Sequence, residues 1–184
     1  MGFLSYSMSM SLDGFVEDPT GSIAFGDPDE EVHRLSNDQT RATSVFLFGR
    51  NLYDIMEDFW TAPERADGHP VEAEFAQLYT AIPRVVFSDS LTSVAPGCRL
   101  VRRADALEEV ARLKEETDGE LAVGGPGLAA SLLDLIDEFR PRVVPVVLGG
   151  GKRYLPLGAD LRLRLVEQRV FDGGTVHLRY HRVR

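Results

Sequence analysis

Two apolar runs in this sequence end in glycine about 75 residues apart, and a segment with a helical pattern follows each of them. The first junction is Val-Phe-Leu-Phe-Gly-Arg at residues 45–50, and the second is Leu-Ala-Val-Gly-Gly-Pro-Gly at residues 121–127. At such a junction, backbone N–H groups and a helix N-terminus can approach an anion such as a pyrophosphate. One junction would be weak evidence, but two in one small α/β domain favour a dinucleotide held across a sheet.

Strand and helix patterns alternate along the first three-quarters of the chain. Alternating or apolar runs predict strands over residues 4–12, 44–48, 84–88, 98–103, 120–123 and 142–148. Helical spacing and start signals predict helices from an N-cap at Asp27 to about residue 43, and over residues 51–57, 71–81, 104–117 and 128–139. Residues 60–70 are polar and contain two prolines, so they predict a surface loop.

The last quarter of the chain has a different pattern. Residues 161–171 and 175–183 predict two strands around Asp172-Gly173-Gly174, a strong hairpin signal. Strands joined by helices and followed by antiparallel edge strands indicate an α/β fold with a mixed, mostly parallel sheet. The 184 residues suffice for one domain with a substantial core, and no segment resembles a linker, so we expect a single domain over residues 1–184.

Charge and cysteine content argue against several classes of protein. A formal net charge of −9 argues against a nucleic-acid-binding surface, which needs a clustered basic face. Cys98 is the only cysteine, so the sequence predicts neither an internal disulfide nor a thiolate metal site. No apolar stretch approaches the roughly 18 residues of a membrane span, and no basic segment leads into a signal-type core. We therefore expect a cytoplasmic protein without a membrane partner.

The second glycine junction has two interpretations. Pro126 suits the first helical position, where its missing N–H is harmless, so the N–H groups of Gly125, Gly127 and Leu128 could face a phosphate. The segment has neither the G-x-G-x-x-G pattern nor the Lys-Ser/Thr of a P-loop. The alternative is a strand-to-helix turn that needs glycine dihedral angles and binds nothing.

The other glycine segments are less specific. Arg50 could clamp a phosphate through a charge-assisted hydrogen bond, or it could be a solvated surface arginine. Gly149, Gly150 and Gly151 precede Lys152, and the simplest interpretation is a tight connection between strands. Three glycines are more than a turn needs, so close approach of a ligand is also plausible.

Five segments in this order and spacing resemble the dihydrofolate reductase-like superfamily across nearly the whole chain. Within it, the chain is similar to the group typified by the C-terminal reductase domain of the bifunctional riboflavin-biosynthesis deaminase–reductase. The matching segments are Ser-Leu-Asp-Gly-Phe at 11–15, Phe-Gly-Arg-Asn-Leu-Tyr at 48–53, Val-Val-Phe-Ser at 85–88, Val-Gly-Gly-Pro at 123–126 and Pro-Val-Val-Leu-Gly-Gly-Gly-Lys at 145–152.

The resemblance implies an eight-stranded, largely parallel sheet with flanking helices, NADPH binding, and hydride transfer to a small heterocyclic or carbonyl-type substrate. It also implies cofactor contacts from three regions and a nicotinamide near the end of the first strand. The implied cofactor-binding residues are Gly49, Arg50 and Asn51 at phosphates, Ser88 with the adjacent Asp89 at the adenosine ribose, Gly124, Gly125, Pro126, Gly127 and Leu128 at the pyrophosphate, and Met10, Ser11 and Gly14 near the nicotinamide.

The sequence departs from the family pattern at three places. Leu52 stands where threonine is frequent, and Asp89 stands where a basic residue is frequent and would repel a 2′-phosphate. Arg102 and Arg103 could compensate, so we expect NADPH but leave NADH open. The buried carboxylate of dihydrofolate reductase has no evident counterpart, because the acidic residues at 29–31 resemble charges of a first helical turn.

The chemistry of the site is less well defined by sequence. Asp13 is the best-placed acid by resemblance, although Asp-Gly after a strand is more often a turn. Hydride transfer needs mainly a positioned nicotinamide, so no nucleophile has to be present. The predicted substrate contacts are Phe25, Trp60, Gly149, Gly150 and Lys152, although packing is the simpler interpretation of Tyr53 and Trp60. The four histidines lack ligand spacing, so we expect no metal.

Three functions remain open from sequence. The leading hypothesis is an NAD(P)H-dependent reductase acting on a small molecule. A non-catalytic nucleotide-binding or regulatory domain on the same fold is the alternative, and a reductase using a deazaflavin is a third. The resemblance and the apolar runs of the C-terminal region also make a homodimer plausible.

Overall fold

The computed structural model describes residues 1–66 and 68–184. These residues form ten strands and six helices, with short 3-10 helices at Ala24–Gly26, Arg103–Asp105 and Leu133–Leu135. The strands are β1 Phe3–Ser11, β2 Phe15–Glu17, β3 Thr43–Gly49, β4 Arg84–Phe87, β5 Cys98–Val101, β6 Glu120–Gly124, β7 Glu138–Val144, β8 Lys152–Arg153, β9 Leu163–Val170 and β10 Val176–Arg182. The helices are α1 Glu30–Ala42, α2 Arg50–Trp60, α3 Pro63–Ala66, α4 Pro70–Ala81, α5 Ala106–Glu116 and α6 Pro126–Ser131.

Eight strands form one sheet in the order β5-β4-β3-β6-β1-β7-β10-β9. The strands from β5 to β7 pair in parallel, and β10 pairs antiparallel with both β7 and β9. This arrangement confirms the predicted α/β fold with a mostly parallel sheet and an antiparallel C-terminal pair. The carboxyl ends of the parallel strands share one edge, where ligands of open α/β sheets bind.

The central strand β1 separates two chemically different layers. Leu4 and Tyr6 are buried in the main core with residues of β6 and β3. The alternate residues Ser5, Ser7 and Ser9 lie on the opposite face, because successive side chains of a strand point to opposite sides. Aromatic side chains of β3 and α4 form a second cluster. The sheet therefore has an apolar face and, around β1, a polar face that is available for a site.

Helix α1 begins later than the sequence predicts. Its N-cap is Asp29, whose Oδ1 accepts a hydrogen bond of 2.8 Å from the Val32 N–H. The predicted cap, Asp27, lies two residues earlier, and the chain between them does not join the helix. Glu30 and Glu31 occupy the first turn, where they complement the helix dipole.

The predicted helix over 128–139 and the predicted strand over 142–148 are wrong in their bounds. Helix α6 ends at Ser131, a 3-10 turn follows, and β7 then runs over Glu138–Val144. Leu132 and Ile136 are fully buried four residues apart, so their spacing imitates a helix. Strand β7 carries charged residues on one face, so its sequence is not the continuous apolar run that usually indicates a strand inside a parallel sheet.

Two small elements are absent from the sequence prediction. Strands β2 and β8 pair antiparallel as a separate two-stranded sheet. Helix α3 lies within the stretch 60–70 that predicts a loop, and residue 67 of that stretch lies outside the described residues. Among the helices of residues 1–66 and 68–184, none is both long and apolar enough to cross a bilayer.

His177 of β10 is a buried ring on the polar face of the sheet. It is 1% exposed and stands in register with Arg142 of β7 and Arg169 of β9. Its Nδ1 is buried without a hydrogen-bond partner in the described part of the chain. Burial, reinforced by the nearby arginines, lowers the pKa of His177 from 6.5 to about 4. The ring is therefore neutral in the folded protein at pH 7.

We expect His177 to make the protein sensitive to mild acid. Between pH 6.5 and pH 4 the unfolded chain binds a proton that the folded chain excludes, so the free energy of unfolding falls as the pH falls. The loss between pH 7 and pH 5 should be roughly 2 kcal/mol. Urea unfolding at both pH values measures this loss. His177→Gln should remove most of the pH dependence and His69→Gln, at an exposed ring, should not; an equal loss in His177→Gln would contradict the assignment.

Candidate active site

Two cavities adjoin at the carboxyl edge of the parallel strands. The first, here called the glycine cavity, has a volume of about 600 Å³ and is lined mainly by residues 49–52, 87–90 and 125–128. The second, here called the helix cavity, measures about 610 Å³ and lies among β1, α1 and α2. Both volumes are typical of small-molecule sites. The residues common to both walls are Met8, Val16, Ile23, Leu52 and Ile55.

Two helix N-termini without side-chain caps border the glycine cavity. The N-cap of α2 is Gly49 and that of α6 is Gly125, and at neither does an N-cap side chain accept a hydrogen bond from the first N–H groups of the helix. The first N–H groups of a helix have no partner within the helix, so they need an external acceptor. The two predicted junctions therefore present backbone donors to one cavity, as a pyrophosphate would require.

The three glycines of the second junction have different structural reasons. A Cβ on Gly124 would lie 2.6 Å from Leu52 Cδ2 and 2.9 Å from Phe48, so Gly124 allows these side chains to pack. Gly125 has a φ of +92°, which favours glycine. A Cβ on Gly127 would meet no atom within 4 Å. Gly127 thus borders open space that a ligand can fill.

The first junction continues into the loop after β4. Arg50 donates hydrogen bonds to Ser90 Oγ at 2.9 Å and to Asp54 Oδ2 at 3.3 Å, and its side chain is half exposed. Ser88 is buried and accepts hydrogen bonds from the N–H groups of Ser90 and Leu91 at 3.2 and 3.1 Å. Arg50 and Ser88 therefore lie close enough to line one wall together with Asn51.

The side chains of Asp89 and of the two arginines after β5 have different hydrogen-bond partners. Asp89 Oδ1 accepts a hydrogen bond of 3.0 Å from the Arg103 N–H. Arg102 donates to the carbonyl groups of Ser88, Asp89 and Leu91, so its guanidinium is engaged in holding the loop. The Arg103 side chain lines the glycine cavity and forms no ion pair or hydrogen bond within residues 1–66 and 68–184. Of the two arginines after β5, Arg103 is therefore the one whose guanidinium can face an anion in the glycine cavity.

The end of the first strand contributes other residues than the sequence predicts. Met10, Ser11 and Gly14 line neither cavity, whereas Met8 and Val16 line both. The Ser11 hydroxyl donates to Asp13 Oδ1 at 2.7 Å and accepts from the Phe15 N–H at 3.0 Å. These bonds fold the chain back after β1, so the cavity contacts come from residues before and after the turn.

Asp13 serves as a structural anchor for the glycine run. Its Oδ1 accepts from the Leu148 N–H at 3.1 Å, and its Oδ2 accepts from the Gly149 N–H at 2.7 Å. The Ser11 hydroxyl and these N–H groups lower the pKa of Asp13 to about 2. At neutral pH the carboxylate has no proton to donate, which argues against the predicted role as a catalytic acid.

The glycine run itself packs against protein. Gly149 and Gly150, which the sequence predicts as substrate contacts, line neither cavity. Gly151 has a φ of +118°, and a Cβ there would lie 1.8 Å from the Glu17 carbonyl oxygen. The extra glycine is thus explained by the close approach of the chain at Gly151 to the end of strand β2. Lys152 does line the glycine cavity, where it forms a 2.9 Å ion pair with Glu17.

Aromatic residues form one wall of the helix cavity. Trp60 lines it and packs against Phe75, with the ring centroids 4.5 Å apart. Phe25, a predicted substrate contact, lies between the lining residues Ala24 and Gly26 but lines neither cavity itself. Tyr53 is buried and its hydroxyl accepts a hydrogen bond from the Ala95 N–H, so it packs rather than lines.

His33 is a cavity residue that the sequence reasoning missed. Asn37 donates through Nδ2 to the Val71 carbonyl and to Glu74, so its Oδ1 is left to accept from His33 Nδ1 at 3.2 Å. This arrangement makes His33 Nδ1 the hydrogen-bond donor to Asn37. His33, Ser36 and Thr40 line the cavity from one face of α1, and a polar stripe at this helical spacing was the available signal.

The floor of the helix cavity is formed by charged residues of the sheet. Arg140 donates two hydrogen bonds to Glu120, at 2.8 and 3.0 Å, and all of these side chains are buried. Arg142 donates to the hydroxyl groups of Ser9 at 3.3 Å and Ser36 at 3.2 Å. Gly124, predicted at the pyrophosphate, lines this cavity and not the glycine cavity.

Comparisons with known proteins agree with this architecture. The family model described as the RibD C-terminal domain matches residues 3–177. The uncharacterized protein YyaP of Bacillus subtilis (strain 168) is 28% identical over 180 residues, which cover 95% of this chain and 92% of that protein.

Two solved structures show the same fold. A candidate riboflavin biosynthesis protein from Shewanella sp. PV-4 aligns over 99% of both chains, with a TM-score of 0.76 and 23% sequence identity. Dihydrofolate reductase from Enterococcus faecalis, solved with NADP(H), aligns over 98% of this chain and 96% of its own, with a TM-score of 0.65 and 13% identity. At these identities the alignments establish the fold alone, and they confirm the dihydrofolate reductase-like prediction.

Proposed function

Because the chain belongs to the RibD C-terminal domain family, we propose that it is a reductase that uses NADPH or NADH to reduce a small heterocyclic or carbonyl-type substrate. One observation carries the proposal. Two uncapped helix N-termini border the glycine cavity, which adjoins a second cavity of similar volume. A dinucleotide in the first cavity and a substrate in the second would meet at the residues that line both.

The residues of the glycine cavity fit a dinucleotide. Backbone N–H groups at Gly127 and Leu128 and at the start of α2 would hold the phosphates, with Arg50 and Asn51 beside them. Open space at Gly127 leaves room for this contact. The bound dinucleotide would supply the hydride.

The common wall of the two cavities is apolar. Met8, Val16, Ile23, Leu52 and Ile55 line it. Apolar side chains there would exclude water from the transfer and hold a flat ring in place. Leu52, which departs from the family pattern, fills the space over Gly124 and lines both cavities, so we propose that it orients the nicotinamide.

The assignment of NADPH rests on Arg103. The guanidinium of Arg103 has no other partner in the described chain, so it is available to a 2′-phosphate. The Asp89 carboxylate accepts a hydrogen bond from the Arg103 N–H. Charge-assisted arginine–phosphate contacts are stronger than neutral hydrogen bonds. We therefore propose a preference for NADPH over NADH.

Titration with NADPH and NADH tests both proposals. Trp60 fluorescence and the midpoint of thermal unfolding report binding, and loss of reduced-nicotinamide absorbance with candidate substrates reports turnover. Arg103→Gln should weaken NADPH binding about tenfold, or about 1.4 kcal/mol, and leave NADH binding nearly unchanged. Arg99→Gln, at an exposed arginine paired with Glu109, is the control. Failure of the wild-type protein to bind either dinucleotide would contradict the reductase.

One observation favours the non-catalytic alternative. Asp13 is ionised and anchored, so the acid that resemblance implies is not available. His33 offers another group of the helix cavity that can carry a proton. Dinucleotide binding without turnover on pterin, pyrimidine and carbonyl substrates would favour a nucleotide-binding or regulatory domain. Tight binding of a deazaflavin with no response to NADPH would favour the third hypothesis.

Domain count and assembly stay predictions. We propose that residues 1–184 form one domain and that two copies pair through the C-terminal strands. The outer strand β9 supports pairing, because Leu165 and Val170 are exposed along it and, within residues 1–66 and 68–184, its outer edge has no neighbouring strand in the sheet.

A further inference from the structure

Arg142 of β7 is a cation whose partners in the protein are neutral. It lines the helix cavity and donates to Ser9 Oγ at 3.3 Å and to Ser36 Oγ at 3.2 Å. In the part of the chain that the structure describes, it forms no ion pair with a carboxylate. Its side chain lies deep enough that burial lowers its pKa below the usual value.

Other arginines on the same face of the sheet differ from Arg142 in this respect. Arg140 pairs with Glu120 and Glu138, Arg169 pairs with Glu31 of α1, and Arg179 pairs with Glu167. The sequence therefore supplies carboxylates for its neighbours on β7, β9 and β10 and leaves Arg142 with two hydroxyl groups. The lack of a carboxylate beside Arg142 does not reflect a shortage of acidic residues, since the protein as a whole has a net charge of −9.

Arg142 is partly buried at the wall of the helix cavity, where water solvates its charge less completely than at an open surface. Removing a charge from water is unfavourable unless an opposite charge and hydrogen bonds replace the water. Arginine also has a planar set of donors that matches a carboxylate or a phosphate. The free donors of Arg142, with hydroxyl groups of Ser9 and Ser36 beside them, form such a binding site on the cavity floor.

We infer that the helix cavity binds a substrate with an anionic oxygen group, a carboxylate or a phosphate, and that Arg142 binds this group. Describing the occupant as substrate rests on the proposed function. The aromatic wall at Trp60 and Phe75 would hold the apolar or ring portion of the same molecule. Arg142 is thus a specificity-determining residue that selects acidic substrates over neutral analogues.

Binding of small anions tests the inference without knowledge of the substrate. Thermal unfolding is followed in sodium acetate and in sodium phosphate, each compared with sodium chloride at the same ionic strength. Because phosphate could also bind in the glycine cavity, the phosphate series uses Gly127→Asp as the background. Acetate, phosphate or both should raise the midpoint by about 3–6 °C at ten times the dissociation constant.

Arg142→Met should abolish that rise, and Arg142→Gln provides a second variant of different polarity. Arg164→Met, at an exposed arginine of β9 outside both cavities, should retain it. In chloride alone, Arg142→Met should unfold at the same temperature as the wild type or higher, because the variant no longer holds a charge without a counter-ion in a partly desolvated position. An arginine needed only for structure would instead lower the midpoint when replaced.

The outcomes separate this inference from the reductase proposal. A rise with acetate alone identifies a carboxylate group, and a rise with phosphate alone identifies a phosphate group. An undiminished rise in both Arg142 variants, or no rise above chloride in the parent proteins, would overturn the inference. NADPH titration of Arg142→Met should match the wild type, since Arg142 does not line the glycine cavity. If the wild type binds neither NADPH nor NADH but still shows the anion effect, only the reductase proposal is contradicted.

Discussion

Replacing Gly127 by aspartate should weaken dinucleotide binding roughly hundredfold, or about 2.7 kcal/mol, and leave the fold intact. Gly127 lies in the first turn of α6, and its Cβ position faces open space on the cavity wall. A carboxylate there would repel the pyrophosphate that the helix N-terminus attracts. The same carboxylate is compatible with the empty protein, since acidic residues in a first turn are stabilising.

Gly127→Asn provides the matched control, because asparagine has nearly the same shape without the charge. The two variants are compared by NADPH titration and by the midpoint of thermal unfolding without ligand. We expect Gly127→Asn to lose much less affinity and both variants to unfold near the wild-type temperature. Equal NADPH affinity in Gly127→Asp and the wild type would show that no phosphate binds at this helix.

The glycine cavity could be predicted from sequence because its chemistry is largely local. A strand, a glycine and a helix start lie within a few residues at Gly49 and again at Gly125, and backbone N–H groups need no particular side chain. The parallel sheet then brings the two junctions to one edge. The resemblance added Ser88 and Asp89, which line the same cavity.

The region after β1 could not be predicted in the same way. Asp13 and the glycine run are more than 130 residues apart in sequence, and the bonds to Leu148 and Gly149 exist only after folding. Asp-Gly after a strand fits a catalytic acid or a turn equally well. The close packing of Gly151 against the Glu17 carbonyl is likewise a tertiary contact, and it explains why the run contains a third glycine.

The helix cavity was largely hidden for a different reason. Its floor is formed by charged residues of β7, and sequence patterns assign alternating charges to a solvated face. Here Arg140 can be buried because Glu120 of β6, two strands away in the sheet, neutralises its charge. Neither partner identifies the other in the sequence, so the site on this face could be found only in the structure.

A buried ion-pair network links β1, β6, β7 and β10 beneath the helix cavity. Arg140 donates through Nη1 and Nη2 to the two oxygens of Glu120, and through Nε to Glu138. Ser5 Oγ donates to Glu120 at 2.5 Å, and His181 Nε2 lies 2.8 Å from Glu138. Arg140, Glu120 and Glu138 are each less than 9% exposed. Arg140 is therefore the central cation of the network.

Arg140→Met should lower the free energy of unfolding by about 3–5 kcal/mol, because buried Glu120 loses its arginine partner and buried Glu138 keeps only the 3.6 Å contact with Arg179 and the contact with His181. For a protein of this size, the midpoint of thermal unfolding should fall by roughly 6–20 °C. Arg112→Met, at an exposed arginine paired with Glu109 and Glu116, should cost less than about 1 kcal/mol.

The triple variant Arg140→Met/Glu120→Gln/Glu138→Gln distinguishes lost charge balance from lost packing. Breaking a buried pair is expensive because of the charge that remains, so neutralising both glutamates should recover a large part of the stability. Urea unfolding of the wild type, the single variant and the triple variant measures the recovery. If the triple variant is no more stable than Arg140→Met, the guanidinium stabilises the sheet through packing and hydrogen bonds, and the ion pairs contribute little.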